Sequence, residues 1–533
     1  MTLIAPQPPQ WSGQRAVIDC FNPATGARLG QMPAASPEDV AAAVARARVV
    51  QKVWAQSSFA QRRAVLGHLL DLVLEQADEI VAAVVEDSGK THENALLGEV
   101  MTVCTKLQWL MKNGEKHLRP EPVPSGLLMH KKGRIEYRPL GVVACIVPWN
   151  YPFQNIFGSL IAPLMAGNAV VVKASEAVAW STQRFQKIID EALRREGFST
   201  DTVQIINGFG DTGAALVRSG VEKILFIGSV GNGRRILEGS IQHLTPVVLE
   251  LGGKDPMIVC EDADLDQALH SALSGCFINL GQNCIASERI IVLDGIYDRF
   301  VAAASEATAA LRQGQATAPG AQDVGAIVTP QQLQVIDTLV ADALAQGARA
   351  LVGGKPGAGP GSFYPPTVLV DVRPDMRIAR EEVFGPVMLV MRVRDEAEAI
   401  ALANGTEFGL QASVFTRDRA RGERIAAALD AGGVCINDFG MCYLNQDLPF
   451  GGVKSSGFGR MNGRDGLRAY TNAKAVLTDR FGFSVLPKLY PVGPALYAKS
   501  LSSIRLLFAR RWADRLSALL ALLKLSLRPG ASR

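Results

Sequence analysis

Cysteine and histidine are both scarce in this sequence. Its 533 residues hold eight cysteines, none in a Cys-x-x-Cys pair. The nearest spacings, Cys276–Cys284 and Cys435–Cys442, match neither a zinc nor a paired-thiol redox signature. The six histidines end at His270, and none belongs to a His-Glu-x-x-His run. No metal site is therefore expected. No stretch of about 18 apolar residues occurs, so no membrane-spanning helix is expected. The amino-terminal "MTLIAPQPPQWSGQ" lacks the basic and apolar segments of a secretory leader. Free thiols without an export signal fit the reducing cytoplasm.

What is present is apolar and rich in glycine. Hydrophobic residues make up 48% and charged residues 20%, the balance of a chain with large cores and two or more domains. The net charge of +4 is unevenly spread: residues 497–533 carry eight Lys/Arg against one Asp. The remainder is mildly acidic, which gives no general nucleic-acid signal.

Apolar runs of four to seven residues alternate with amphipathic stretches along the chain. "PEDVAAAVARARVVQKVW" (37–54) has helical spacing, with Pro37 suited to a first turn. "GVVACIVPWN", "NAVVVKASE", "VEKILFIGS", "TPVVLELGG", "ERIIVLD", "GLQASVFTRD" and "AGGVCINDF" read as buried strands, and Asp264 as a helix cap. The pattern predicts an α/β chain with mostly parallel sheets, split into two series near residue 253. "GGKPGAGPGSFYPP" (353–366) reads as a surface loop. In such sheets ligands bind beyond the carboxyl ends of the strands, where Asn150, Lys173, Gly228 and Glu250 all fall.

Two glycine-rich turns compete as phosphate sites. "GFGDTG" (Gly208, Gly210, Gly213) has the dinucleotide spacing, but the nearest downstream acid, Glu222, comes too early for the ribose. "FIGSVGNG" (226–233) closes an apolar run and opens a helix, whose free N–H groups attract phosphate. An ordinary glycine turn remains open for both. Cys284 in "GQNCIASERI" reads either as a small buried filler or as a nucleophile.

Seven phrases decide between these. "PWNYPF" (148–153), "GNAVVVKASE" (167–176), "FIGSVGNG", "LELGGKDP" (249–256), "GQNCIASERI" (281–290), "EEVFGPV" (381–387) and "PFGGVKSSGFGR" (449–460) stand in order. Over residues 20–480 the chain resembles the NAD(P)-dependent aldehyde dehydrogenases. The basic tail and "MCYLNQDLPFGG" look most like the broad-specificity subgroup shared by plants, fungi and bacteria. The resemblance implies oxidation of an aldehyde to the acid with NAD, or NADP. A thiolate adds to the carbonyl, the thiohemiacetal gives up a hydride, and water hydrolyses the thioester.

By resemblance, Cys284 is the nucleophile, Glu250 the general base and Asn150 the oxyanion donor. Lys173 and Glu176 match residues at the adenosine ribose, where a carboxylate favours NAD over the 2′-phosphate of NADP. Val147, Trp149, Gly208, Phe226, Gly228, Ser229, Gly233, Glu382 and Phe384 match the cofactor path, and Tyr151, Asn155 and Gly158 the substrate tunnel. Val230 stands where the family often has threonine and Ala174 where it often has proline; neither removes a reacting group. Glutamate at 250 favours water over coenzyme A as acyl acceptor. A semialdehyde-specific or acyl-CoA-forming relative, and a membrane-associated scaffold with a vestigial site, are the alternatives.

The implied architecture is two doubly wound parallel-sheet domains: a Rossmann-like cofactor domain (1–120 and 141–252) and a catalytic domain (253–452). Residues 121–140 and 453–480 would bridge subunits of a homodimer or homotetramer. Residues 481–533 form a basic extension. In it Leu501, Ile504, Phe508, Trp512, Leu516, Leu519, Leu523 and Leu527 recur at helical spacing, with Arg510, Lys524 and Arg528 opposite and Arg505 and Arg515 intruding. One amphipathic helix is expected, resting on an anionic membrane or on another subunit.

Overall fold

The computed structural model describes residues 16–483 and 490–527. The reading of the amino-terminal fourteen residues, and Arg528 of the tail, lie outside the described residues. Pro37–Trp54 is a single helix closed by a capping box. The Ser36 hydroxyl accepts from the Asp39 N–H at 3.2 Å, and the Asp39 carboxylate accepts from the Ser36 N–H at 3.1 Å. Asp264 caps the helix Leu265–Phe277 by accepting from the Gln267 N–H at 3.3 Å.

The chain forms two compact units. The first is Met1–Pro120 with Glu136–Lys474, and the second is Glu121–Ile135 with Ala475–Arg533. The hairpin β1 (Val17–Phe21) and β2 (Arg28–Pro33) opens the first unit. The strands β3 (Glu121–Val123) and β4 (Lys131–Pro139) pair antiparallel. Next come β5 (Val142–Ile146), β6 (Ala169–Ala174), β7 (Val203–Asn207), β8 (Lys223–Gly228) and β9 (Val247–Leu251). Then follow β10 (Pro256–Val259), β11 (Arg289–Leu293), β12 (Arg349–Val352), β13 (Thr367–Val370), β14 (Val387–Val393), β15 (Gln411–Phe415) and β16 (Gly433–Ile436). The last are β17 (Gly457–Phe458) and β18 (Thr471–Asp479).

Two sheets fill the first unit. One runs β17-β9-β8-β5-β6-β7 and the other β12-β13-β14-β11-β10-β15-β16. Both are parallel except at one edge each, where β17 on β9 and β12 on β13 are antiparallel. Every residue of β5, β6, β10 and β11 is buried, which is why their sequences read as unbroken apolar runs. The six-stranded sheet ends in chain order at Leu251, and the seven-stranded one begins at Pro256. In the first sheet the strand order reverses between β5 and β8, which opens a crevice at their carboxyl ends.

The segment 453–480 departs from its bridging expectation by dividing between the units: residues 475–480 belong to the second and 453–474 to the first, where β17 finishes the six-stranded sheet. Gly457 permits this. Its φ is +107°, and a Cβ there would lie 2.1 Å from the Leu249 carbonyl oxygen. The tail departs too. It is two helices, Leu496–Phe508 and Trp512–Ser526, rather than one. Ala509 and Arg511 are extended between them, and Arg515 Nε donates to the Ala509 carbonyl at 2.6 Å.

Gly457→Ala should therefore uncouple β17 from β9, with a loss of about 1–3 kcal/mol of stability. Thermal denaturation checks this; an unchanged midpoint would contradict it.

Candidate active site

The carboxyl edge of the six-stranded sheet gathers the polar residues of interest. Asn150 follows β5, Lys173 and Glu176 stand at the end of β6, Gly208 follows β7, Gly228 and Ser229 end β8, and Glu250 ends β9. A cleft of about 660 Å³ opens there. Trp149, Asn150, Tyr151, Asn155, Gly228, Ser229, Glu250, Cys284, Glu382 and Phe384 all line it. Val147, Gly158, Lys173, Glu176, Gly208, Phe226 and Gly233 do not. Gly158 lies inside the helix Pro152–Met165, and a Cβ there would meet Gln154 Nε2 at 2.9 Å, so it opens no space in the cleft.

Asn150 is held on all sides. Its carbonyl accepts from Lys90 Nζ and from Asn279 Nδ2, each at 2.8 Å. Its Oδ1 accepts from Asn155 Nδ2 at 3.0 Å, and its Nδ2 donates to the Gln282 carbonyl at 3.1 Å. Lys90 is itself buried and donates to Glu99 Oε1 at 2.6 Å. Burial pushes the Lys90 pKa down, and the Glu99 carboxylate opposes this. The other Glu99 oxygen accepts from the N–H groups of Phe153 and Gln154, both at 2.8 Å, at the start of the helix that follows Asn150. Glu99 is turned inward by a six-residue π-helical segment, Leu96–Met101, which also brings Leu97 and Met101 to the cleft.

The backbone before the thiol is equally constrained. Asn279, Leu280 and Gly281 are all left-handed, with φ of 50°, 54° and 66°. At Gly281 a Cβ would lie 2.2 Å from the Gly385 carbonyl oxygen. At Gly253 it would lie 2.6 Å from the Cys284 carbonyl oxygen, so glycine lets the two chain segments meet beside the sulfur.

Cys284 is half-buried, and its thiol pKa is pushed well above the usual range, first by burial and then by the Glu250 carboxylate. Among the described residues no lysine or arginine lines the cleft to offset this. Activation of the thiol therefore falls to a base. Glu250 is buried, its Oε1 has no hydrogen-bond partner among the described residues, and burial raises its pKa to about 7 against the lowering effect of a hydrogen bond with the Cys284 thiol. A carboxyl poised there can both accept and return a proton near neutrality.

A dinucleotide fits the other residues. The helix Val230–Ser240 starts at the cleft, and Ser229 caps it by accepting from the Asn232 N–H. A Cβ on Gly231 would meet nothing within 4 Å, so no neighbour crowds the first turn there. Gly233 packs against Leu251, where a Cβ would come within 2.9 Å. Lys173 Nζ and Glu176 Oε2 pair at 3.2 Å. Glu288 accepts from the N–H groups of Val383 and Phe384 and so fixes the segment that presents Glu382, whose pKa burial raises to about 8.

Sequence reasoning missed Lys90 and Asn279, which touch Asn150 from distant positions, and Glu99, which pairs with Lys90. It also missed the apolar lining made by Leu97, Met101, Met441, Leu444, Phe450 and Met461. Among the described residues no group of three or more His, Cys, Asp or Glu is placed to hold a metal ion.

The model of the "Aldehyde dehydrogenase family" matches residues 11–476. An aldehyde dehydrogenase-like protein of Schizosaccharomyces pombe is 40% identical over 87% of this chain and 90% of its own. The 4,4′-diapolycopene aldehyde oxidase of Methylomonas is 35% identical over 90% of this chain and 89% of its own. The NADP+ succinate-semialdehyde dehydrogenase of Deinococcus radiodurans is 36% identical over 85% and 93%. Among solved structures, the NAD+ complex of an aldehyde dehydrogenase from Bacillus cereus superposes with a TM-score of 0.83 at 32% identity, covering 87% of this chain and 94% of that one. The chain belongs to the aldehyde dehydrogenase family.

Two outcomes follow. Lys90→Met leaves Glu99 buried beside an apolar side chain, so stability should fall by about 3 kcal/mol and kcat by at least about tenfold. Lys90→Met with Glu99→Gln should recover the stability but not the kcat; urea denaturation and steady-state rates read the two apart. Glu250 binds its proton more tightly in the folded chain, so its contribution to stability is present below pH 4.5 and is lost as pH rises through about 7. Glu250→Gln should match wild type in acid and exceed it above neutrality by on the order of 1–3 kcal/mol, measured by urea denaturation at both pH values.

Proposed function

We propose that this chain oxidises a neutral, largely apolar aldehyde to its carboxylic acid with NAD or NADP. Cys284 acts as nucleophile, Glu250 as base and Asn150 as oxyanion donor. The observation that carries the reading is the placement of the buried Glu250 carboxyl beside the Cys284 thiol on one cleft with Asn150.

Glu250 takes the thiol proton, and the sulfur adds to the aldehyde carbon. The oxygen gains negative charge and meets the Asn150 amide, whose orientation is set by Asn155 and Gln282. The dinucleotide, held by the start of the Val230 helix, Lys173, Glu176 and Glu382, supplies the hydride acceptor when bound. The Glu176 carboxylate favours NAD. Once the hydride has left, Glu250 releases the thiol's proton to solvent; it then takes a proton from the water that cleaves the Cys284 thioester and returns that proton to the departing sulfur. Water as acceptor separates this chain from acyl-CoA-forming relatives.

The substrate class follows from the lining. Glu250, Glu382 and Asp438 are its carboxyl groups, it has no Lys or Arg, and Leu97, Met101, Met441, Leu444, Phe450 and Met461 supply apolar surface. An anionic semialdehyde would enter unpaired beside carboxylates. The apolar aldehyde named for the Methylomonas relative suits this lining better than succinate semialdehyde does. We further propose that the enzyme works in the cytoplasm as a homodimer or homotetramer, with its carboxy-terminal segment at a membrane surface.

Asn150→Ala should lower kcat about 100-fold, Cys284→Ala should abolish NADH formation, and Glu250→Gln should accumulate an acylated Cys284 peptide. In wild type, thioester hydrolysis should rise with pH through about 7, as Glu250 loses its proton, and then level off. Rapid-quench mass spectrometry with a chain-length series of alkanals and succinate semialdehyde tests both parts. Turnover without acyl-enzyme would overturn the chemistry, and a higher kcat/KM for succinate semialdehyde would overturn the substrate class alone.

A further inference from the structure

The second unit carries its apolar residues on the outside. In the helix Trp512–Ser526 and the residue after it, Trp512, Leu516, Leu519, Leu520, Leu523 and Leu527 are all exposed, between 41% and 82%. At 3.6 residues per turn these six fall within an arc of about 100°. In the helix Leu496–Phe508, Tyr497, Ile504, Leu507 and Phe508 are exposed as well. The side chains of this pair that are buried are small: Ser502 and Ala518. A helical hairpin in water buries its large apolar stripe. This one closes on small residues and turns the stripe outward, the arrangement of helices solvated by lipid.

Charge identifies the lipid. From residue 497 to 527 the basic side chains are Lys499, Arg505, Arg510, Arg511, Arg515 and Lys524, and Asp514 is the one acid. Arg515 and Lys524 flank the exposed arc, and the exposed Arg510 and Arg511 form the turn between the helices. A second copy of the hairpin would bring the same charge against itself, whereas an anionic bilayer neutralises it. Neither helix is long and apolar enough to cross a membrane.

We infer that the hairpin Leu496–Leu527 is an in-plane anchor: it lies in the headgroup region of an anionic phospholipid bilayer, with the Trp512–Leu527 stripe in the acyl layer and the arginine turn among the phosphates. This inference rests on the membrane contact proposed above and is independent of the aldehyde chemistry.

Flotation of the full-length enzyme with phosphatidylcholine vesicles, with and without phosphatidylserine, tests it, alongside sedimentation velocity and turnover of a water-soluble aldehyde. Wild type should float with the phosphatidylserine vesicles and release in high salt. Leu516→Glu with Leu523→Glu should abolish flotation. Arg510→Glu with Arg511→Glu should weaken it by about tenfold or more. Both variants should keep wild-type turnover and assembly size, which shows that they fold. Failure of wild type to float, or undiminished flotation of the leucine variant, overturns the anchor. So does a leucine variant that changes assembly size, which would make another subunit the partner of the stripe. Loss of turnover in wild type alone would instead sink the catalytic reading.

Discussion

Lys90 and Glu99 stand in an apolar interior where neither charge tolerates the loss of its partner. That constraint orders the ground around Asn150. The ammonium fixes the Asn150 carbonyl, and the carboxylate fixes the first N–H groups of the helix that runs on from it. The peptide between them therefore has little freedom, and the amide at its tip is presented in one orientation. Desolvation makes the arrangement costly to form and stiff once formed. An oxyanion site needs that stiffness, because donors that must reorganise as charge develops contribute less.

The electrostatics of the cleft run in one direction. Carboxyl groups surround the sulfur, and burial holds both Cys284 and Glu250 toward their protonated forms. The resting site is thus close to neutral and apolar, which suits an uncharged aldehyde. In the proposed mechanism a thiolate forms only when Glu250 accepts a proton, and Glu250 Oε1 has no hydrogen-bond partner among the described residues. Where a cysteine is activated by a neighbouring cation it stays reactive without substrate. Here the dependence on a carboxyl poised near neutrality ties sulfur chemistry to an occupied cleft.

The fold was largely legible in the sequence, because strands buried on both faces leave continuous apolar runs and the helices between them carry clear caps. The Ser36 box and Asp264 needed no tertiary information. Asn150, Glu250 and Cys284 were singled out by the order of the seven phrases, and the structure brings all three to one cleft; periodicity alone left the thiol undecided between filler and nucleophile. Lys90 and Glu99 escaped because their partners are 60 and about 54 positions away along the chain, and because the π-helical turn that aims Glu99 inward leaves no compositional trace. Gly158 was placed in the substrate tunnel by resemblance, yet it does not line the cleft, and Gln154 does. The tail was read as one stripe because helical spacing continues across Ala509–Arg511, although the backbone there is extended.

The two-residue strand β17 has a consequence for how the molecule comes into being. Its Gly457 lies opposite Glu250, so the strand that bears the base gains its outer neighbour from chain synthesised roughly 200 residues later. On a ribosome the six-stranded sheet therefore emerges with an open edge beside Glu250, and that edge stays unpaired until β17 has been made. Assembly of the catalytic strand is a late event by construction, and a nascent chain halted before that point would carry the residues for chemistry on an unfinished scaffold.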